Sequence, residues 1–169
     1  MKPDISVEIA GVRFANPVIA ASGTFGYGTE FGGVMDVSSL GGICSKGLTL
    51  APKPGNTGRR LLETPSGLIN SIGLENPGIP HFIEHELKTM MELGPVVLAN
   101  LSGAGLETYV EGAALLDKTD VPMIELNISC PNVKAGGMAW GLDCRAASEV
   151  VSAVRKATSK PLMVKLSPN

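Results

Sequence analysis

The stretch Met123-Ile124-Glu125-Leu126-Asn127-Ile128-Ser129-Cys130-Pro131-Asn132 decides how this chain is read. Its apolar opening reads as a buried strand, so Cys130 would stand at that strand's carboxyl end. Strand ends of this kind are where α/β folds collect their chemistry. Asn127 and Asn132 bracket the thiol and offer amide donors and acceptors without adding charge. Pro131 restricts the backbone of Cys130 to extended or turn geometry, which holds the thiol in place. The plainer reading is a small buried residue, the commonest fate of a free cysteine.

Similar apolar runs recur on either side. Val18-Ile19-Ala20-Ala21, Gly42-Ile43-Cys44-Ser45, Val96-Val97-Leu98-Ala99 and Leu162-Met163-Val164-Lys165-Leu166 are short and continuously apolar or nearly so. Strands of that composition belong to parallel sheets covered on both faces. Ahead of them, residues 6–14 read as a β-hairpin with Gly11 at its turn. Between the strands, Ile79, Phe82, Ile83, Leu87, Met90 and Met91 recur at helical spacing. So do Leu106, Tyr109, Val110, Ala113 and Leu116. A last helix has Asp143 as its cap and a stripe of Ala146, Ala147, Val150, Val151 and Val154.

Strand and helix in alternation, closed by a fifth strand, is βα architecture. A closed (β/α)8 barrel takes about 250 residues. The 169 residues here supply five strands and stop just past the fifth. Either the sheet is open and five-stranded, or it is the first half of a barrel. The ending reads as an interruption, and the expectation is a fragment, a truncated product, or one half of a split protein.

Composition narrows the function classes. Hydrophobic residues make up 44% and charged residues 18%, the balance of a compact chain. Fourteen basic against sixteen acidic residues give a net charge of -2, with no local basic stripe. That argues against nucleic acid or an anionic membrane as the main partner. Cys44, Cys130 and Cys144 form neither a disulfide framework nor a zinc knuckle and suit a reducing compartment. No signal peptide or membrane-spanning run is legible, so the expected location is the cytoplasm.

Several residues gather at the carboxyl ends of the expected strands. Ala21-Ser22-Gly23-Thr24-Phe25-Gly26 follows the first, and its glycines allow close approach of a ligand to the backbone. An ordinary flexible loop would look the same. Gly26-Tyr27-Gly28 is not a dinucleotide fingerprint, because the third glycine falls one residue late, at Gly32. Lys46 and Lys165 end two strands, and together they point to an anionic or electron-rich ligand. Asn100 adds an amide to the same rim. Residues 63–78 form a long connection of turn formers and apolar residues, as expected of a loop that folds over a small polar ligand. His81-Phe82-Ile83-Glu84-His85 matches an inverted zinc-protease pattern. Its helical phase puts both histidines on the solvated side, and no metal site is expected. Trp140 reads as loop packing.

Six segments occur in order: 21–26, Ser45-Lys46-Gly47, 70–78, Asn127-Ile128-Ser129-Cys130-Pro131-Asn132, 136–141 and 164–169. Together they resemble the FMN-dependent dihydroorotate dehydrogenases, nearest to the catalytic subunit of the cytosolic, NAD-linked bacterial type. The resemblance implies a (β/α)8 TIM barrel, with this chain covering an N-terminal β-hairpin and about the first five strands. Residues 1–169 would then be the N-terminal part of a single FMN-binding domain whose C-terminal part is absent from this chain. It implies oxidation of dihydroorotate to orotate in de novo pyrimidine biosynthesis. Cys130 would be the base that takes the C5 proton, while hydride passes from C6 to FMN. By motif, Lys46, Asn70, Ser71, Ile72, Gly73, Leu74 and Asn127 match residues that hold the pyrimidine. Ser22, Lys46, Gly47, Asn100, Asn127 and Lys165 match contacts to FMN. The implied partners are a second catalytic subunit and an electron-transfer subunit carrying FAD and a 2Fe-2S cluster that relays electrons to NAD+. The family's phosphate-binding loops follow later strands than those present. Two other readings stand beside this one: a flavin enzyme acting on uracil or thymine, and a non-catalytic half-barrel.

Overall fold

The computed structural model describes residues 3–129 and 140–167. The chain opens with an antiparallel hairpin, β1 (Val7–Ile9) and β2 (Val12–Phe14). Ala10 and Gly11 at its turn have φ of 50° and 80°, the paired left-handed geometry of the type I′ hairpin turn. Five strands follow in one sheet: β3 (Ile19–Ala20), β4 (Gly42–Cys44), β7 (Val96–Leu101), β8 (Met123–Asn127) and β9 (Leu162–Lys165). Their order in space is their order in sequence, and every pairing is parallel.

Period-2 alternation sends successive side chains to opposite faces of this sheet. On the outer face Ile43, Val97, Ala99, Leu101, Ile124 and Leu126 build the main core against the helices. On the inner face Cys44, Leu98 and Met123 pack with Phe14 of the hairpin, which stops the amino end of the sheet. Towards the carboxyl ends the inner face turns polar, through Asn100, Glu125 and Asn127, each no more than 6% exposed.

Helices lie where the periodicity puts them. Helix α3 (Leu106–Asp117) buries Tyr109, Ala113 and Leu116. The final helix, α4 (Cys144–Ala157), buries Val150 and Val154 and is capped by Asp143, whose carboxylate accepts from the Ala146 N–H at 2.8 Å. Trp140 packs against the outer core, but from a helical residue rather than from a loop.

Two features depart from the sequence reading. Residues 79–92 are helical, but Phe82–Glu86 between α1 (Ile79–His81) and α2 (Leu87–Glu92) form a π-helical turn. That wider turn absorbs the five-residue step from buried Phe82 to buried Leu87. Met91, expected on the buried stripe, lies at its margin and is 37% exposed. The connection at 63–78 is also not wholly loop. Its first part pairs with the residues before it as an antiparallel hairpin, β5 (Leu61–Thr64) and β6 (Gly67–Asn70). Leu61, Leu62, Leu68 and Ile69 of that hairpin are exposed.

Candidate active site

The carboxyl ends of the sheet strands surround a cavity of about 240 Å³. Ser22 and Gly23 reach it from the end of β3, and Lys46 and Gly47 from the end of β4. Asn100 comes from β7, Asn127 and Ser129 from β8, and Lys165 from β9. A side wall is made by the end of β6 and the residues after it, where Asn70, Ile72, Gly73 and Leu74 line the space. Among the site residues expected from sequence, Ser71 turns away: its hydroxyl and carbonyl oxygens both accept from Asn56 Nδ2. Cys130 lies outside the described residues.

The backbone brings that side wall in by an uncommon route. Gly73 and Leu74 have φ of 77° and 58°, and left-handed geometry at a leucine needs support. Asn76 supplies it. Its Nδ2 donates to the Leu74 carbonyl at 2.8 Å, while its Oδ1 accepts from the N–H groups of Thr49 and Gly78. At Gly47 the close approach is steric: a Cβ there would lie 2.7 Å from Leu74 Cδ1 and 3.1 Å from Asn100 Oδ1.

Electrostatics beneath the cavity centre on Glu125, which sequence reasoning passed over as part of an apolar run. Its carboxylate accepts from Asn100 Nδ2 and from the Cys44 thiol, the latter at 3.3 Å. Lys165 Nζ lies 3.8 Å from Glu125 Oε1 and donates to Ser22 Oγ at 2.8 Å. Asn127 Nδ2 donates to Asn100 Oδ1, and Asn127 Oδ1 accepts from the Ser129 N–H and hydroxyl. Burial, reinforced by the charge of Glu125, pushes the Cys44 thiol well above the ordinary range, so it sits here as a neutral donor. The signal that could have found Glu125 is the alternation Met123, Glu125, Asn127 on one face of a strand.

His81 and His85 are both exposed on the helix, their rings 4.3 Å apart. Among the described residues, no group of three or more His, Cys, Asp or Glu is placed to hold a metal ion. Also among them, no helix is long and apolar enough to cross a membrane.

The family profile described as dihydroorotate dehydrogenase matches residues 4–169. The chain belongs to the dihydroorotate dehydrogenase family. Dihydroorotate dehydrogenase B (NAD(+)), catalytic subunit, of Petrotoga mobilis is 55% identical over 166 residues, which cover 98% of this chain and 55% of that protein. The protein of the same name from Geotalea uraniireducens is 53% identical, covering 99% of this chain and 55% of its own length. That of Bacteroides thetaiotaomicron is 49% identical, again over 55% of its length. This chain therefore spans about half the length of the curated relatives it matches. The crystal structure of DHODH from Eimeria tenella in complex with ferulenol superposes with a TM-score of 0.74 at 18% identity, over 99% of this chain and 53% of that one. That likeness concerns the fold, and five parallel strands in sequence order are the sheet of a half-barrel of the (β/α)8 type.

Proposed function

We propose that this chain forms the pyrimidine- and flavin-facing part of a dihydroorotate dehydrogenase that oxidises dihydroorotate to orotate. One observation carries the reading. Two lysines and three asparagines from different strand ends converge on a single cavity that a left-handed loop closes from the side.

That donor set suits FMN and a planar, anionic pyrimidine. Lys46 and Lys165 supply positive charge, and the asparagine amides can donate or accept along ring edges. The missing Cβ at Gly47 leaves room against Leu74 and Asn100 that any larger residue would fill. FMN, when bound, supplies the acceptor for the hydride that leaves C6 of the substrate. Cys130 takes the C5 proton, a role that requires a base within hydrogen-bond reach. Lys46, Asn70, Ile72, Gly73, Leu74 and Asn127 hold the pyrimidine, while Ser22, Gly47, Asn100 and Lys165 hold the flavin. A cation such as Lys165 favours negative charge on the reduced ring.

On this reading, residues 1–169 belong to one FMN-binding barrel domain, and the work is done in the cytoplasm as a step of pyrimidine synthesis. The relatives named as NAD(+)-linked catalytic subunits support a separate electron-transfer subunit as partner; the resemblance adds that the catalytic subunits pair and that this partner carries FAD and a 2Fe-2S cluster.

The test is the visible spectrum of the purified chain after addition of FMN, followed by dihydroorotate without oxygen. A bound flavin that bleaches supports the assignment. Bleaching by dihydrouracil alone would transfer it to a different dihydropyrimidine. A chain that takes up no flavin would refute flavin binding by these residues on their own.

A further inference from the structure

We propose that Glu125 is a positioning residue that fixes the hydrogen-bond direction of Asn100 and Asn127, two of the residues lining the cavity. The inference rests on the functional reading above for its consequence, but not for its geometry. A carboxylate only accepts. Asn100 lies beside Glu125 in the strand register and must therefore present its NH₂ group to Glu125 Oε1. That choice leaves Asn100 Oδ1 facing Asn127, which in turn must present its own NH₂, at 3.2 Å. Asn127 Oδ1 is then left to accept from the backbone N–H and hydroxyl of Ser129, at 3.1 and 2.8 Å. The polarity of the whole chain of amides, up to the residue before Cys130, is set at one buried carboxylate.

An amide left alone is ambiguous, because its two ends are nearly the same size and both flips fit the same space. A binding wall of asparagines would then present donors and acceptors at random. Glu125 removes the ambiguity from below, and its second oxygen is occupied by the Cys44 thiol. Lys165 supplies the counter-charge at 3.8 Å, so the carboxylate is neither unpaired nor free to turn. Glu125 itself does not line the cavity and acts only through Asn100 and Asn127.

The experiment follows solvent exchange of the side-chain NH₂ protons of Asn100 and Asn127 by NMR in the full 169-residue chain. Glu125→Gln keeps the shape but lets position 125 either donate or accept. Exchange at Asn127 is expected to speed up at least tenfold while backbone amides of β7 and β8 stay protected. The double variant Glu125→Gln, Asn100→Asp moves the acceptor-only group one step along. Asp at position 100 again forces Asn127 to donate, so protection at Asn127 is expected to return. Unchanged exchange at Asn127 in Glu125→Gln, or no recovery in the double variant, would overturn the proposal. If Glu125→Gln alone does not fold, recovery of a folded chain with wild-type protection at Asn127 in the double variant supports it, and failure there overturns it. FMN uptake, measured separately by fluorescence quenching, should weaken at least tenfold in Glu125→Gln. A wild-type chain that binds no FMN would count against the functional reading, while the exchange data would still decide the direction of the amides.

Discussion

Lys165 Nζ donates to Ser22 Oγ at 2.8 Å, joining residues at the ends of the two outermost strands of the sheet. Four spacings of about 4.8 Å would hold those strands roughly 19 Å apart in a flat sheet, far beyond one lysine side chain. The contact is possible only because the sheet curls, and the curl creates the cavity. The same ammonium offsets the buried charge of Glu125. Lys165→Met should therefore cost about 2–3 kcal/mol, by leaving that carboxylate without its counter-charge. Adding Glu125→Gln should recover a good part of the loss. Urea unfolding of both single variants and the double variant closes the cycle, and strict additivity would show that the pair does not interact.

Asn76 governs the wall that carries Gly73 and Leu74. It is 6% exposed and also bonds Thr49 Oγ1, besides the contacts that hold the left-handed turn. Asn76→Ala would orphan several buried groups and should destabilise the chain by about 2–3 kcal/mol. Glu75→Ala next door loses only the part-exposed ion pair to Arg60, at 2.8 Å, and should cost under about 1 kcal/mol. Parallel urea titrations separate the two. Substrate binding should weaken in the Asn76 variant and stay near wild type in the Glu75 variant.

The sheet was legible because its strands are apolar on both faces, and the helices because buried stripes such as Tyr109, Ala113 and Leu116 keep a helical period. The lysines at strand ends were legible for the same reason, since a charge that closes an apolar run has few places to go. The β5–β6 hairpin escaped notice because Leu61-Leu62 and Leu68-Ile69 are pairs without alternation, and no core claims them. The π-helical turn escaped because a single five-residue step hardly disturbs a 3.6-residue period. Glu125 was hidden by its neighbours: Ile124 and Leu126 face the outer core, and only the register with Asn100 shows that the residue between them serves the site.

Gly47→Ala tests whether the cavity needs the space a Cβ would take. The nearest atom, Leu74 Cδ1, is the tip of a flexible side chain and can move, so stability should change by less than about 1 kcal/mol. Moving it narrows the cavity, and the new methyl also crowds Asn100 Oδ1. FMN retention should fall roughly tenfold, equivalent to about 1.4 kcal/mol. Fluorescence titration with FMN beside thermal unfolding would reveal the split. A loss of stability with unchanged flavin affinity would contradict it.

Asp117, the last residue of α3, fastens the turn between α4 and β9. One of its oxygens, Oδ1, accepts from Thr158 Oγ1 and the Ser159 N–H, each at 2.7 Å, and from Ser159 Oγ at 3.2 Å. The Thr158 hydroxyl first, then the Ser159 N–H, pull its pKa down from 3.8 to about 2. A depressed carboxylate pKa stabilises the fold above the unfolded-state value, and the contribution disappears as the group is protonated in the folded state. The stabilisation is therefore complete above about pH 4 and drains away between about pH 4 and pH 2. Asp117→Asn lacks this titration. The gap in urea midpoint between wild type and variant should be constant from pH 7 to about pH 5 and narrow steadily below about pH 4. A gap that stays constant down to pH 2 would show that the carboxylate's charge adds nothing to the tether.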